Sequence, residues 1–216
     1  MQTYPATDEI ILASASPRRA ELLRQLGLQF TVCQSEVDEK QVTAETPEEL
    51  ALLLAERKAE AVAAQVKKGI IIAADTIVHL DGKILGKPAD YSEAHAMLTM
   101  LSGRTHEVLT GVAVIRQPER RRAGHVETTR VTFRRLTEAE IEWYLRSGEA
   151  FDKAGGYGIQ GKAAVFVEKI DGCYFNVVGL PLAALWKMLV QMGGIKPGEG
   201  AGLNVKTAPD HQRPAT

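Results

Sequence analysis

The sequence is poor in the residues that mark several protein classes. It has two cysteines in 216 residues, Cys33 and Cys173, too few and too isolated for a disulfide framework or a thiolate metal site. Both read as small apolar residues of a reducing compartment. The histidines at 79, 95, 106, 125 and 211 have no metal-ligand spacing. An excess of charge of either sign is missing too: 26 Lys and Arg against 27 Asp and Glu leave a formal net charge of −1. No global basic field therefore recruits nucleic acid or an acidic membrane. No apolar run approaches the length of a bilayer span. Met1 to Asp8 carries no basic stretch followed by an apolar one, so no signal peptide is expected and the default location is cytoplasmic. Gly-x-Ser-x-Gly and the phosphate loop Gly-x-x-x-x-Gly-Lys-Ser/Thr are absent, and no internal repeat is visible.

What is present suits one globular domain: 45% hydrophobic and 25% charged residues, at a length that buries a sizeable core. The division expected is an arm over residues 1–8, a domain over 9–193 and a disordered tail over 194–216, where Gly, Pro and polar residues lose all periodicity.

The chain is organised around Ile10 to Leu23. Ile10 to Ala13 reads as a buried strand, followed by a turn of small residues and a helix with Ser16 as N-cap and Pro17 at its first position. Gly27 ends that helix. Arg18 and Arg19 lie in its first turn, where the partial positive charge of a helix disfavours cations by roughly 0.3–1 kcal/mol each. A bound anion reverses that sign, because amides, dipole and guanidinium forks would all face it; two solvated arginines are the alternative.

Gln29 to Cys33 suggests a short strand leading into the acidic loop Ser35 to Lys40. Thr46-Pro47-Glu48-Glu49 opens a helix expected to reach about Lys68, with Leu50, Leu53, Leu54, Arg57, Ala61 and Ala64 inward and Lys58 on a solvated face. Gly69 to Ala74 is a continuous apolar run, as in a strand covered on both faces. It ends in Asp75-Thr76, and a carboxylate at a strand end is a catalytic or metal-ligand candidate or else the cap of a turn. Ile77–Leu80 and Lys83–Gly86 form a hairpin around Asp81-Gly82, and a helix follows from Asp90.

Thr105–Ile115 and Val126–Phe133 read as long strands joined through Pro118 to Gly124, whose Arg120 to Arg122 could meet nucleic acid or simply be solvated. Thr137 to Glu140 is a capping box. Gly156-x-Gly158-x-x-Gly161 matches the dinucleotide fingerprint formally. A helix precedes it and Ala163 to Val167 follows as a strand, the reverse of what that fingerprint needs. What remains is a backbone loop able to approach a ligand, with Gln160 able to read a base edge. Pro181 starts the last helix.

These segments together resemble the Maf family of nucleoside triphosphate pyrophosphatases. The likeness is carried by Leu12-Ala13-Ser14-Ala15-Ser16-Pro17-Arg18-Arg19, Val37-Asp38-Glu39, Ala74-Asp75-Thr76-Ile77-Val78, Lys87-Pro88, Ser102-Gly103-Arg104-Thr105-His106, Tyr157-Gly158-Ile159-Gln160-Gly161 and Val178-Gly179-Leu180-Pro181, in that order over residues 9–192. The resemblance implies a mixed α/β fold with an elongated central sheet, flanking helices and a cleft between two lobes, as in the Maf and ITPase-like folds. It implies hydrolysis of a nucleoside triphosphate to monophosphate and pyrophosphate, with a divalent cation, Mg²⁺ or Mn²⁺, as cofactor. By position Asp75 would be the proton acceptor, and Ser14, Arg18, Arg19, Lys58 and Lys87 would hold the triphosphate. Glu39 with Asp75 would bind metal, and Arg19, Thr76 and Gln160 would set specificity. The Gly-Ile-Gln-Gly loop resembles the subgroup acting on dTTP and UTP; the alternatives are the sister 7-methyl-GTP subgroup and a non-catalytic regulator of cell division. The family also implies a link to septum formation and a homodimer, with no nucleic-acid or membrane partner.

Overall fold

A computed structural model describes residues 8–196. The expected arm, apart from Asp8, and the expected tail beyond Lys196 lie outside the described residues. A seven-stranded mixed sheet runs through the molecule. Its strands are β1 (Ile10–Leu12), β2 (Phe30–Val32), β3 (Gly69–Leu80), β4 (Lys83–Leu85), β5 (Thr105–Gln117), β6 (Arg121–Phe133) and β7 (Val167–Asp171). Their order is β2-β1-β3-β5-β6-β7, with β4 also on β3; β1 pairs parallel with β2 and β3, and every other pairing is antiparallel. The helices are α1 (Pro17–Gln25), α2 (Pro47–Ala63), α3 (Tyr91–Leu101), α4 (Glu138–Leu145), α5 (Tyr174–Val178) and α6 (Leu182–Gln191).

Alternation along β3 separates two cores. Ile70, Ile72 and Ala74 face a layer containing Leu22 and Leu23 of α1 and Leu185 and Leu189 of α6. Further along the same face, Val78 joins Met97 and Leu98 of α3 with Ile141 and Tyr144 of α4. Ile71 and Ala73 point the other way, onto Ala55, Ala59 and Val62 of α2. The last described residues stay on the body: Gly194 N–H donates to Leu189 O and Ile195 is buried.

Several elements differ from expectation for local reasons. α2 stops at Ala63, so Lys67 and Lys68 lie beyond it. Its inner face is not the leucine-rich stripe but Ala51, Leu54, Ala55, Lys58, Ala59, Val62 and Ala63. Small residues win because the helix rides very close to the sheet. At Gly111 of β5 an added Cβ would lie 2.2 Å from the Ala51 carbonyl oxygen, so side chains larger than alanine are pushed off that line.

β5 and β6 reach further than expected, leaving only Pro118 to Arg120 as their turn. Arg120 and Arg122 are paired with Glu60 of α2 at 2.8 and 2.7 Å. Residues Lys162–Phe166 form a 3-10 turn, not the expected strand, which begins only at Val167.

Candidate active site

β3 pairs with β5 along one edge from Gly69 to His79. Its other edge is shared, β1 covering Ile70–Ile72 and β4 covering Val78–Leu80. The last contact of the β1 side is Ala13 N–H to Ile72 O at 2.7 Å, after which the chain turns away toward α1. Among the described residues, Ala73 to Ile77 thus have no partner strand on that side. The expectation that Asp75-Thr76 ends a strand is corrected: β3 continues through them, since Ile77 and Val78 suit a strand as well as Ile72 does. The interrupted edge does what a strand end would do, opening the backbone to a cleft. It also lets side chains of opposite sheet faces line one cavity, because Asp75 and Thr76 point to opposite faces and both line it.

The cavity measures about 710 Å³, and all nine expected site residues line it. One wall is the turn and helix start from Ala13 to Arg19; the other is Ile84 to Lys87 with the loop from Asp152 to Gly161. The two parts of the second wall are joined by Gly155 N–H to Gly86 O at 3.0 Å.

On the α2 side, Lys58 Nζ lies 2.5 Å from Asp75 Oδ1 and 2.6 Å from Glu39 Oε1. Lys58 is 8% exposed and Asp75 7%, which corrects the solvated reading of Lys58. The 3-10 turn Glu39–Gln41 brings Glu39 to the same ammonium. Burial alone would push the Glu39 carboxyl up, but the Lys58 hydrogen bond and the charges of Lys58, Lys87 and Arg19 outweigh it and hold it below its ordinary value.

On the opposite face, Arg19 is 9% exposed, with its fork engaged by the protein. Nε donates to Gly179 O at 2.8 Å, one terminal nitrogen to Ser14 Oγ at 3.2 Å and the other to Thr76 Oγ1 at 3.0 Å. Burial lowers the pKa of this guanidinium, and nearby Asp75 opposes the shift. The start of α1 differs from those of α2, α3 and α4, where Thr46, Asp90 and Thr137 cap with their side chains. Ser16 occupies the cap position but makes no such bond, so the first-turn amides of α1 keep their capacity for an anion.

At the mouth, Arg18 pairs with Asp152 at 2.9 Å and Asp152 with Lys153, while Lys87 and Gln160 are exposed. Asp152, Lys153 and Tyr157 line the cavity without having been singled out. The signal for Asp152 and Lys153 was charge close before the glycines, and for Tyr157 its place in the motif Tyr157-Gly158-Ile159-Gln160-Gly161. At Gly158 an added Cβ would lie 2.6 Å from Lys153 Cε, so the glycine makes room for that lysine.

Away from the cleft, His95 of α3 and Glu138 and Glu142 of α4 bring donor atoms within 4.8 Å of one another. His95 bonds Glu138 at 2.6 Å, and the Tyr91 hydroxyl donates to Glu142 at 2.6 Å. None of them lines the cavity. No helix among the described residues is long and apolar enough to cross a membrane.

Residues 9–192 match the model of a family described as Maf-like protein. Similar curated proteins include the dTTP/UTP pyrophosphatase of Carboxydothermus hydrogenoformans, 55% identical over 185 residues, covering 86% of this chain and 99% of the relative. That of Symbiobacterium thermophilum is 54% identical, covering 86% and 94%. That of Syntrophomonas wolfei is 51% identical over 182 residues, covering 84% and 96%.

Proposed function

The chain belongs to the Maf family, and from that premise we propose that it is a nucleoside triphosphate pyrophosphatase that hydrolyses dTTP and UTP to the monophosphate and pyrophosphate. The observation that carries the reading is the meeting of buried Asp75 and Lys58 with the more exposed Glu39 inside a cavity whose other polar lining is largely cationic or hydroxyl-bearing. A triphosphate with about four negative charges needs positioning and charge stabilisation above all. Lys58, Lys87, Arg18 and the open amides of α1 supply them, with Ser14 and Arg19 behind.

The donor set fits a hard divalent cation. Glu39 and Asp75 offer only oxygens and already converge on one positive centre within 2.6 Å, and Mg²⁺ binds through one or two carboxylates together with phosphate oxygens. When bound, Mg²⁺ or Mn²⁺ supplies charge neutralisation at the phosphates.

Asp75 accepts a proton from the attacking water as the water oxygen bonds to the α-phosphorus. The bond from that phosphorus to the bridging oxygen breaks, and pyrophosphate leaves with the electron pair. Lys58 holds Asp75 aimed until then. Gln160, Thr76 and Arg19 face the nucleoside end. A cytoplasmic homodimer that cleans the nucleotide pool, linked to septum formation, completes the reading; sedimentation of the purified chain at twice its 23.5 kDa mass checks the dimer.

The test of function is pyrophosphate release from dTTP, UTP, CTP, dATP, GTP and 7-methyl-GTP, with Mg²⁺, with Mn²⁺ and with chelator. Metal-dependent cleavage led by dTTP and UTP is expected. A lead by 7-methyl-GTP would overturn the substrate assignment, and no cleavage of any member would overturn the enzyme.

A further inference from the structure

We propose that Thr110, buried behind the cleft wall, sets base preference by fixing which way the Thr76 hydroxyl points. This rests on the pyrimidine triphosphate reading above and names the group that would enforce it.

Thr76 of β3 and Thr110 of β5 are cross-strand partners, with Oγ1 atoms 2.9 Å apart. Thr110 is fully buried, and its Oγ1 lies 3.1 Å from the Asn176 carbonyl oxygen. A carbonyl only accepts and a guanidinium only donates, while each hydroxyl has one proton. Only one direction satisfies every bond: Arg19 donates to Thr76, Thr76 to Thr110, and Thr110 to Asn176 O. The Asn176 carbonyl is itself held, since Asn176 is fully buried and its Nδ2 donates to Val108 O at 2.8 Å and to Thr129 Oγ1 at 2.9 Å.

The hydroxyl proton of Thr76 is therefore committed inward. Toward the cavity, which it lines, Thr76 offers a lone pair and cannot donate. Beside it Arg19, which spends three of its five N–H groups on Gly179, Ser14 and Thr76, keeps two others to offer. This donor–acceptor pair matches the imide edge of thymine or uracil, an N3–H flanked by carbonyl oxygens. Cytosine presents a lone pair at N3, so the same contact sets acceptor against acceptor. A threonine free to turn its hydroxyl would accept either base. Thr110 is thus a positioning residue whose effect is on selectivity.

The test compares Thr110→Val, which keeps the shape and removes the hydroxyl, with Thr110→Ser, which keeps the hydroxyl. Readouts are the kcat/KM ratio of UTP to CTP, the affinity ratio of UMP to CMP, and inhibition by pyrophosphate. Thr110→Val should lower both ratios roughly tenfold, the size of one buried hydrogen bond gained by the wrong base, mainly through tighter cytosine binding. Thr110→Ser should keep the wild-type ratios, and pyrophosphate inhibition should not change in either. Wild-type ratios in Thr110→Val, or equal weakening of UMP, CMP and pyrophosphate together, would overturn the proposal. Should Thr110→Val not fold, Thr110→Ala gives the same comparison. A wild-type protein that cleaves no pyrimidine triphosphate would sink the functional reading, while the UMP to CMP ratio would still decide the role of Thr110.

Discussion

Asp75 and Thr76 are neighbours in one strand, yet they belong to two differently built regions. On the α2 face the site is ionic: one ammonium between two carboxylates, under a helix that touches the sheet through alanines and a glycine. On the opposite face it is a chain of neutral hydroxyls and a carbonyl that begins at Arg19, backed by the larger cores. The ionic face can hold charge and move a proton. The hydroxyl face changes no charge and can only choose what binds. A strand with an interrupted edge presents both to one ligand, so chemistry and selection share a site while resting on separate supports.

The largest test of this division is Asp75→Asn, which removes the proton acceptor and keeps the shape. Turnover should fall by about 10³-fold or more while nucleotide binding persists, as steady-state kinetics and calorimetry would read. Full turnover in this variant would end the assignment of chemistry to that face. Lys58→Met comes next. It leaves two carboxylates facing each other without their shared cation, at a cost of about 3–5 kcal/mol in unfolding free energy from urea melts, with activity lost as well. An unchanged midpoint would mean the trio contributes nothing to stability.

His106 sharpens the other side of the comparison. It lies on the hydroxyl-bearing face, with Nε2 2.7 Å from the Tyr157 hydroxyl and a buried Nδ1 that has no partner among the described residues, and burial pushes its pKa down to about 4. The unfolded chain binds the proton near 6.5, so below that pH the unfolded state holds more protons and stability falls. The loss should develop between pH 6.5 and 4 and reach about 3 kcal/mol. In His106→Gln this component of the pH dependence should be absent from denaturant midpoints measured across that range.

The smallest expected effect is Thr76→Val, which removes the acceptor without touching the ionic trio. KM for UTP should rise roughly tenfold, the worth of one hydrogen bond, while kcat stays near wild type. A fall in kcat instead would erase the distinction between the faces.

How far the site could be read from residues alone follows the same line. The pattern from Ser14 to Arg19 is local: a proline at the first helical position and two cations where a helix disfavours them point to an anion without knowledge of anything distant. Glu39, Lys58 and Asp75 are of another kind. A lysine in the middle of a helix among glutamates reads as solvent-facing, and only the close ride of α2 over Gly111 turns it inward. Thr110 gave no local sign at all, because it acts through a partner more than thirty positions away.

By itself the sequence determined most of the element order and the caps at Thr46, Asp90 and Thr137, since periodicity, capping and turn chemistry act over a few residues; the mixed α/β class came with the family resemblance of its motifs. Tertiary structure decided where β3 loses its neighbour, which face of α2 is buried, and which way a hydroxyl points. Those depend on backbone distances between segments far apart in the chain, and local preference carries no information about them.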